Sequence, residues 1–184
     1  MHILVWASAL GFQLVNGTCI GGWLAGYGPR TWADWQADSW PLPPRLVSSR
    51  IEVGMMIWAV FLLLNMFHDD DLREIRRAAA RNQAKRDIDK DEKGKGEGKG
   101  VDKVYMIPKN GLFAFILYPH YFCEWIEWAA FWMIGGLSCV PARTFVANEV
   151  ATMLPRALQG RRWYVERFGE AKIQGKKAVI PGVL

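Results

Sequence analysis

The first 29 residues, Met1 to Pro29, contain no Asp, Glu, Lys or Arg. That stretch constrains the fold more than any other feature. About 20 apolar residues in a helix cross the ~30 Å hydrocarbon core of a bilayer, and a helix is the form that satisfies its own backbone there. Mean hydropathy over the 184 residues is +0.00, which hides the pattern. Of 41 formal charges, 21 fall between Asp69 and Lys103, leaving the rest of the chain sparsely charged. An apolar content of 51% with ten Trp excludes an intrinsically disordered chain. The fold class is therefore all-α, a multi-pass transmembrane helix bundle with one disordered charged loop.

The spans can be placed along the chain. The first carries Gly17-x-x-x-Gly21 and Gly22-x-x-x-Gly26, a spacing that lets membrane helices approach closely. A Trp- and Pro-rich turn follows, with Trp32, Trp35, Trp40 and Pro41, suited to the headgroup level. The second span runs from about Arg45 to Phe67. Residues Asp69 to Ala84 continue as a helix leaving the membrane, and Arg86 to Lys103 reads as disordered. Beyond Gly111, the sequence predicts a re-entrant or interfacial piece to Tyr118, a helix from Pro119 to about Gly135, and a last helix from about Ala142 to Leu154. A basic tail, Arg156 to Lys177, closes the pattern. The excess of Lys/Arg in the charged loop and the tail puts both in the cytosol, with the Gly28 to Arg50 loop opposite. The resulting division is residues 1–68 (spans), 69–104 (charged loop) and 105–184 (cofactor region with two spans and the tail).

The start lacks the basic n-region of a signal peptide, and the Asn16-Gly17-Thr18 sequon lies within an apolar run. Cys19, Cys123 and Cys139 are far apart without a CxxC pair, and read as small buried residues.

Polar groups at membrane depth are costly and mark candidate sites. Three clusters qualify. Asn65-x-x-His68-Asp69 leads into Arg73, Arg76 and Arg77 at the end of the second span. His120-x-x-x-Glu124-x-x-Glu127 shares one helical face inside an aromatic run. Arg156 and Arg161-Arg162-Trp163-Tyr164 lie at the end of the last span. Together they suggest a pocket with an apolar floor and a rim of Arg, Asn and His, suited to an anionic group carrying a flat ring. The ordinary structural readings stand beside this one. The acidic and basic run after Asp69 can be a solvated helix exit laced with ion pairs, the Arg161-Arg162 pair a headgroup anchor, and His120 a partner for Glu124. Two carboxylates in a Trp/Phe-rich span are harder to explain structurally.

Several chemistries are excluded. Three histidines are too few for a histidine-box di-iron centre, no HExxH or zinc-spaced Cys/His pair occurs, and no Rossmann fingerprint is present. Gly94 to Lys99 alternates Gly with charge but lacks the GxxxxGK[ST] phosphate loop. Nothing points to nucleic acid, and oligomeric state is not legible.

Three motifs carry a family resemblance: Asn65-Met-Phe-His-Asp69-Asp-Asp-Leu72-Arg-Glu-Ile-Arg76; Tyr105-Met-Ile-Pro108-Lys-Asn-Gly111-Leu-Phe113, continuing through Tyr121-Phe-Cys-Glu124-Trp-Ile-Glu127-Trp128; and Arg156-Ala157-x5-Trp163-Tyr164 to Lys177-Ala-Val-Ile-Pro181. In order and spacing they resemble the C-terminal domain of the steroid 5-alpha-reductase (3-oxo-5-alpha-steroid 4-dehydrogenase) family, which includes the polyprenol reductases. The resemblance implies about four of seven spans, residence in the endoplasmic reticulum membrane, and NADPH-dependent reduction of a double bond conjugated to a carbonyl in a steroid or other lipid. It implies cofactor contacts at Asn65, Asp69, Arg76, Tyr105, His120, Glu124, Arg156 and Tyr164, with Glu127 in packing or orientation. His120 stands where many relatives have Asn, and Gly160 replaces a common His, removing one phosphate contact. The family's carbonyl-polarising Tyr and Glu belong to a region preceding this chain, so no catalytic residue is assigned, and a truncated gene model or a fragment is expected. The alternatives are an isoprenylcysteine-methyltransferase-like enzyme using S-adenosylmethionine, and an inactive membrane remnant.

Overall fold

The computed structural model describes residues 3–37, 49–92 and 106–184. Those residues are helical apart from turns and one isolated bridge: α1 (Ile3–Gly26), α2 (Trp32–Ala37), α3 (Arg50–Glu92), a 3-10 turn (Gly111–Ala114), α4 (Pro119–Gly135), α5 (Val140–Phe168) and α6 (Glu170–Ile173). Among the described residues, α1 and the Arg50–Lys85 part of α3 are long and apolar enough to cross a membrane. The chain divides into two compact units, Met1–Leu62 with Cys123–Pro155, and Leu63–Phe122 with Arg156–Leu184.

The first unit is held by aromatic packing. Trp23, Cys139 and Ala142 are buried, with Trp35, Phe131 and Trp132 packed against them. Phe145 meets Trp128 at 4.0 Å and Phe12 at 5.5 Å between ring centroids. The close helix approach that small residues permit occurs at Gly54, where a β-carbon would stand 2.7 Å from Ile134 Cγ1. The glycines of α1 do not serve that purpose: β-carbons at Gly17, Gly21, Gly22 and Gly26 would meet nothing within 4 Å. Only Trp23 of α1 is buried, and Cys19 is exposed instead of buried: it faces an open groove shared with Phe12, Pro141 and Phe145. Arg50, the first residue of α3, is buried and donates to the Trp35 carbonyl of α2. Asp34 takes the Arg30 and Thr31 backbone N–H groups while Thr31 Oγ1 accepts from Asp34 N–H, a reciprocal cap that starts α2 and lowers the carboxyl pKa.

Two helices run further than the sequence suggested. α3 continues to Glu92, seven residues into the stretch expected to be disordered, while 93–105 lie outside the described residues. Its run 78–86 (Ala-Ala-Ala-Arg-Asn-Gln-Ala-Lys-Arg) is rich in strong helix formers, and that local preference sustains the helix. α5 passes Pro155 and ends at Phe168, not Leu154. Proline removes one backbone bond, whereas stopping there would strand those of the following residues. The basic tail is thus helical over its first half.

Candidate functional site

The second unit is assembled around His68 and Lys176, both buried. His68 Nδ1 lies 2.6 Å from the Leu64 carbonyl, and Nε2 accepts the Leu112 N–H at 3.1 Å. Both bonds require the neutral ring protonated at Nδ1. The 3-10 turn is therefore fastened to α3, and Gly111 makes the turn at φ +55° with no room for a β-carbon, which would stand 3.0 Å from Nε2. Asn110 adds a bond to Asp71 at 2.7 Å. Lys176 Nζ donates to the Phe113 and Pro108 carbonyls at 2.6 and 2.9 Å, bringing the chain end to the same turn. Three backbone bonds extend the seam: Lys177 N–H to Phe115 O, Leu117 N–H to Lys177 O, and Tyr118 N–H to Ala178 O. Arg161 clamps it from α5, donating to Lys176 O at 3.0 Å and pairing with Glu170 at 2.6 Å. Arg161 thus serves as a structural clamp.

This seam shapes a cavity of about 330 Å³, within the size range of small-molecule sites. Its walls come from α3 (Leu72, Ile75, Arg76, Ala79), from Met106, Leu117 and Tyr118, from the first turn of α4 (His120, Tyr121) and from Tyr164 of α5. Arg76 is the only formally charged group in the lining among the described residues. Tyr118 and Tyr121 stack at 5.3 Å, and His120 sits edge-on to Tyr121 at 4.5 Å. His120 Nδ1 is buried without a hydrogen-bond partner among the described residues. An unsatisfied buried nitrogen in a cavity wall is a binding group in waiting. Burial, then the neighbouring Tyr164 and Tyr121, push the Tyr118 phenol up to about 12, so it remains a donor at neutral pH. Aromatic faces, one guanidinium and an orphaned ring nitrogen suit a flat ring bearing an anion.

The eight expected residues are distributed as follows. Arg76, His120 and Tyr164 come together in the cavity wall. Asp69 is near enough for its charge to act on His120, but its carboxylate is engaged by Arg73 at 2.7 Å. Asn65 is half-buried one helical turn before Asp69. Arg156 is exposed and outside the lining. Tyr105 lies outside the described residues. Glu124 belongs to the first unit, where it, Glu127 and Glu149 are close enough for their charges to interact. Glu127 and Glu149 are buried. Glu149 escaped the sequence reading, although it is the only charge between Thr144 and Pro155. Tyr118 and Tyr121 were missed as well, since an aromatic run gives no sign of which rings face a cavity.

Among the described residues the chain is helical, with two membrane-length helices and an aromatic-walled cavity that carries a guanidinium, features consistent with a helical membrane protein. The family described as 3-oxo-5-alpha-steroid 4-dehydrogenase matches residues 95–184. The chain is 34% identical over 98% of its length to an uncharacterized protein of Schizosaccharomyces pombe, covering 57% of that protein. It is 28% identical to a steroid 5-alpha-reductase of Solanum lycopersicum (92% of this chain, 52% of the relative) and 28% identical to 3-oxo-5-alpha-steroid 4-dehydrogenase 1 of Rattus norvegicus (80% and 46%). Residues 95–184 belong to the family described as 3-oxo-5-alpha-steroid 4-dehydrogenase, and the chain spans about half the length of the curated relatives it matches.

Proposed function

We propose that the chain contributes the cofactor cradle of a membrane oxidoreductase that uses NADPH to reduce a double bond conjugated to a carbonyl in a steroid or other lipid. One observation carries the proposal. Arg76, His120 and Tyr164, from three separate helices, line a single cavity in which a buried ring nitrogen lacks a partner among the described residues. The residues fit the cofactor's chemistry. Arg76 offers a planar fork of donors to a phosphate, and the Tyr118/Tyr121 pair offers a stacking face. His120 Nδ1 offers one hydrogen bond, and its fixed position means that little ordering is needed on binding. At about 330 Å³ the cavity holds a nucleotide-sized portion, not a whole dinucleotide.

When bound, NADPH supplies hydride to the β carbon of the enone. The chain's own residues bind and orient the donor. In this reading Asn65 and Asp69 hydrogen-bond the nicotinamide and ribose portions, and exposed Arg156 acts through its field on the phosphates. α4 and α5 form two further crossings, the charged loop and the tail are cytosolic, and the membrane is that of the endoplasmic reticulum. The family match favours this reading over a methyltransferase. NADPH and S-adenosylmethionine titrated separately onto the 184-residue chain in phospholipid nanodiscs test it. Saturable NADPH binding that weakens in Arg76→Ala is expected; binding of S-adenosylmethionine alone would reverse the assignment.

A further inference from the structure

Gly160 sits in the interior of α5, where glycine is a poor helix former. Its φ is not in the left-handed region, so the backbone does not require glycine there. Space does. A β-carbon at 160 would overlap the Tyr118 hydroxyl outright, and would stand 2.5 Å from Cζ and 2.9 Å from Cε2 of that ring. The Tyr118 backbone N–H donates to Ala178 O at 3.0 Å, and its ring stacks on Tyr121. Tyr118 lines the cavity beside His120 and Tyr164. The sequence therefore gives up a side chain at 160 to seat a phenol at the cavity wall.

We propose that Tyr118 is a ligand-contacting residue that donates its hydroxyl to an oxygen of the bound nucleotide, and that Gly160 is the positioning residue that makes room for it. The inference rests on the NADPH reading of the cavity. The absence of a side chain at 160 is then not a lost contact: the donor comes from the segment before α4 instead. Tyr118 remains protonated at neutral pH, as a donor must.

The test is NADPH affinity, measured by nucleotide fluorescence on the 184-residue chain in nanodiscs, with thermal unfolding followed in parallel. Tyr118→Phe keeps the ring and is expected to raise Kd about five- to tenfold without moving the unfolding midpoint, the loss of one hydrogen bond. Gly160→Ala is expected to raise Kd by more than about tenfold when Tyr118 is present, but by less than about twofold when added to Tyr118→Ala, because the two sites compete for one volume. Wild-type affinity in Tyr118→Phe, or an equal cost of Gly160→Ala in both backgrounds, overturns the inference. Tyr118→Phe decides the matter even if Gly160→Ala does not fold. Failure of the unaltered chain to bind NADPH, or an Arg76→Ala chain that binds normally, overturns the cofactor reading instead. Those outcomes are distinct from a Tyr118 result obtained on a chain that does bind.

Discussion

Replacing His68 by Ala removes the fastener between α3 and the 3-10 turn. The ring is 1% exposed and lies edge-on to Phe67 and Phe113, at 5.4 and 5.5 Å between centroids. The Leu64 carbonyl keeps its helical backbone partner, so losing Nδ1 there costs little. The Leu112 N–H, by contrast, is left without its acceptor at Nε2. An unsatisfied amide of that kind costs about 1–3 kcal/mol, and the void left by the ring adds about 2 kcal/mol or more, for a total of roughly 3–5 kcal/mol. That is a large share of the ~5–15 kcal/mol by which folded domains are stable. Equilibrium unfolding in detergent measures the total, and amide exchange at Leu112 measures the local part. Since Lys176 and the seam to Tyr118 hang on the same turn, NADPH affinity should fall with it. A loss below about 1 kcal/mol with unchanged exchange at Leu112 would refute the assigned role.

Three further outcomes follow from the second unit. Arg76→Ala should raise the NADPH Kd by about tenfold or more, as expected for a charge-assisted contact, while exposed Arg156→Ala should raise it a few-fold at most, an effect abolished by salt; equal effects at high salt would contradict the cavity assignment. Burial, and then the charge of Lys109, hold the Lys176 ammonium below its ordinary 10.5. The unfolded chain then binds more protons just below that value, so stability should rise as pH climbs towards 10.5, and Lys176→Met should flatten that slope in thermal unfolding. Arg161→Ala should speed proteolytic removal of residues 170–184 while leaving cleavage within the first unit unchanged, as judged by mass spectrometry of the fragments.

The parts legible in the sequence are those where composition dictates structure without help from neighbours. A charge-free α1 and the helix that continues past Asp69 are of this kind. The ends of α3 and α5 were not, because a Lys/Asp-rich composition and a Pro155 argue locally against helix, whereas continuous backbone pairing carries both helices onward. Arg76, His120 and Tyr164 could be singled out by residue type and motif. That Arg156 stays out of the cavity wall, that Arg161 serves the backbone, and that Gly160 answers to Tyr118 are matters of which side chains meet across dozens of residues. Charge and periodicity do not encode those meetings in a single sequence.

The seam between residues 115–118 and 177–178 also bears on how the protein comes to be made. Its two edges are some sixty residues apart in the chain, so a ribosome delivers the first well before the second. Until Lys176 arrives, the Pro108 and Phe113 carbonyls have no lysine to accept from, and Tyr118 has nothing to fix its backbone. Helices can form one by one, but the cavity closes late, as a long-range event whose speed is set by how quickly a distant stretch of chain returns.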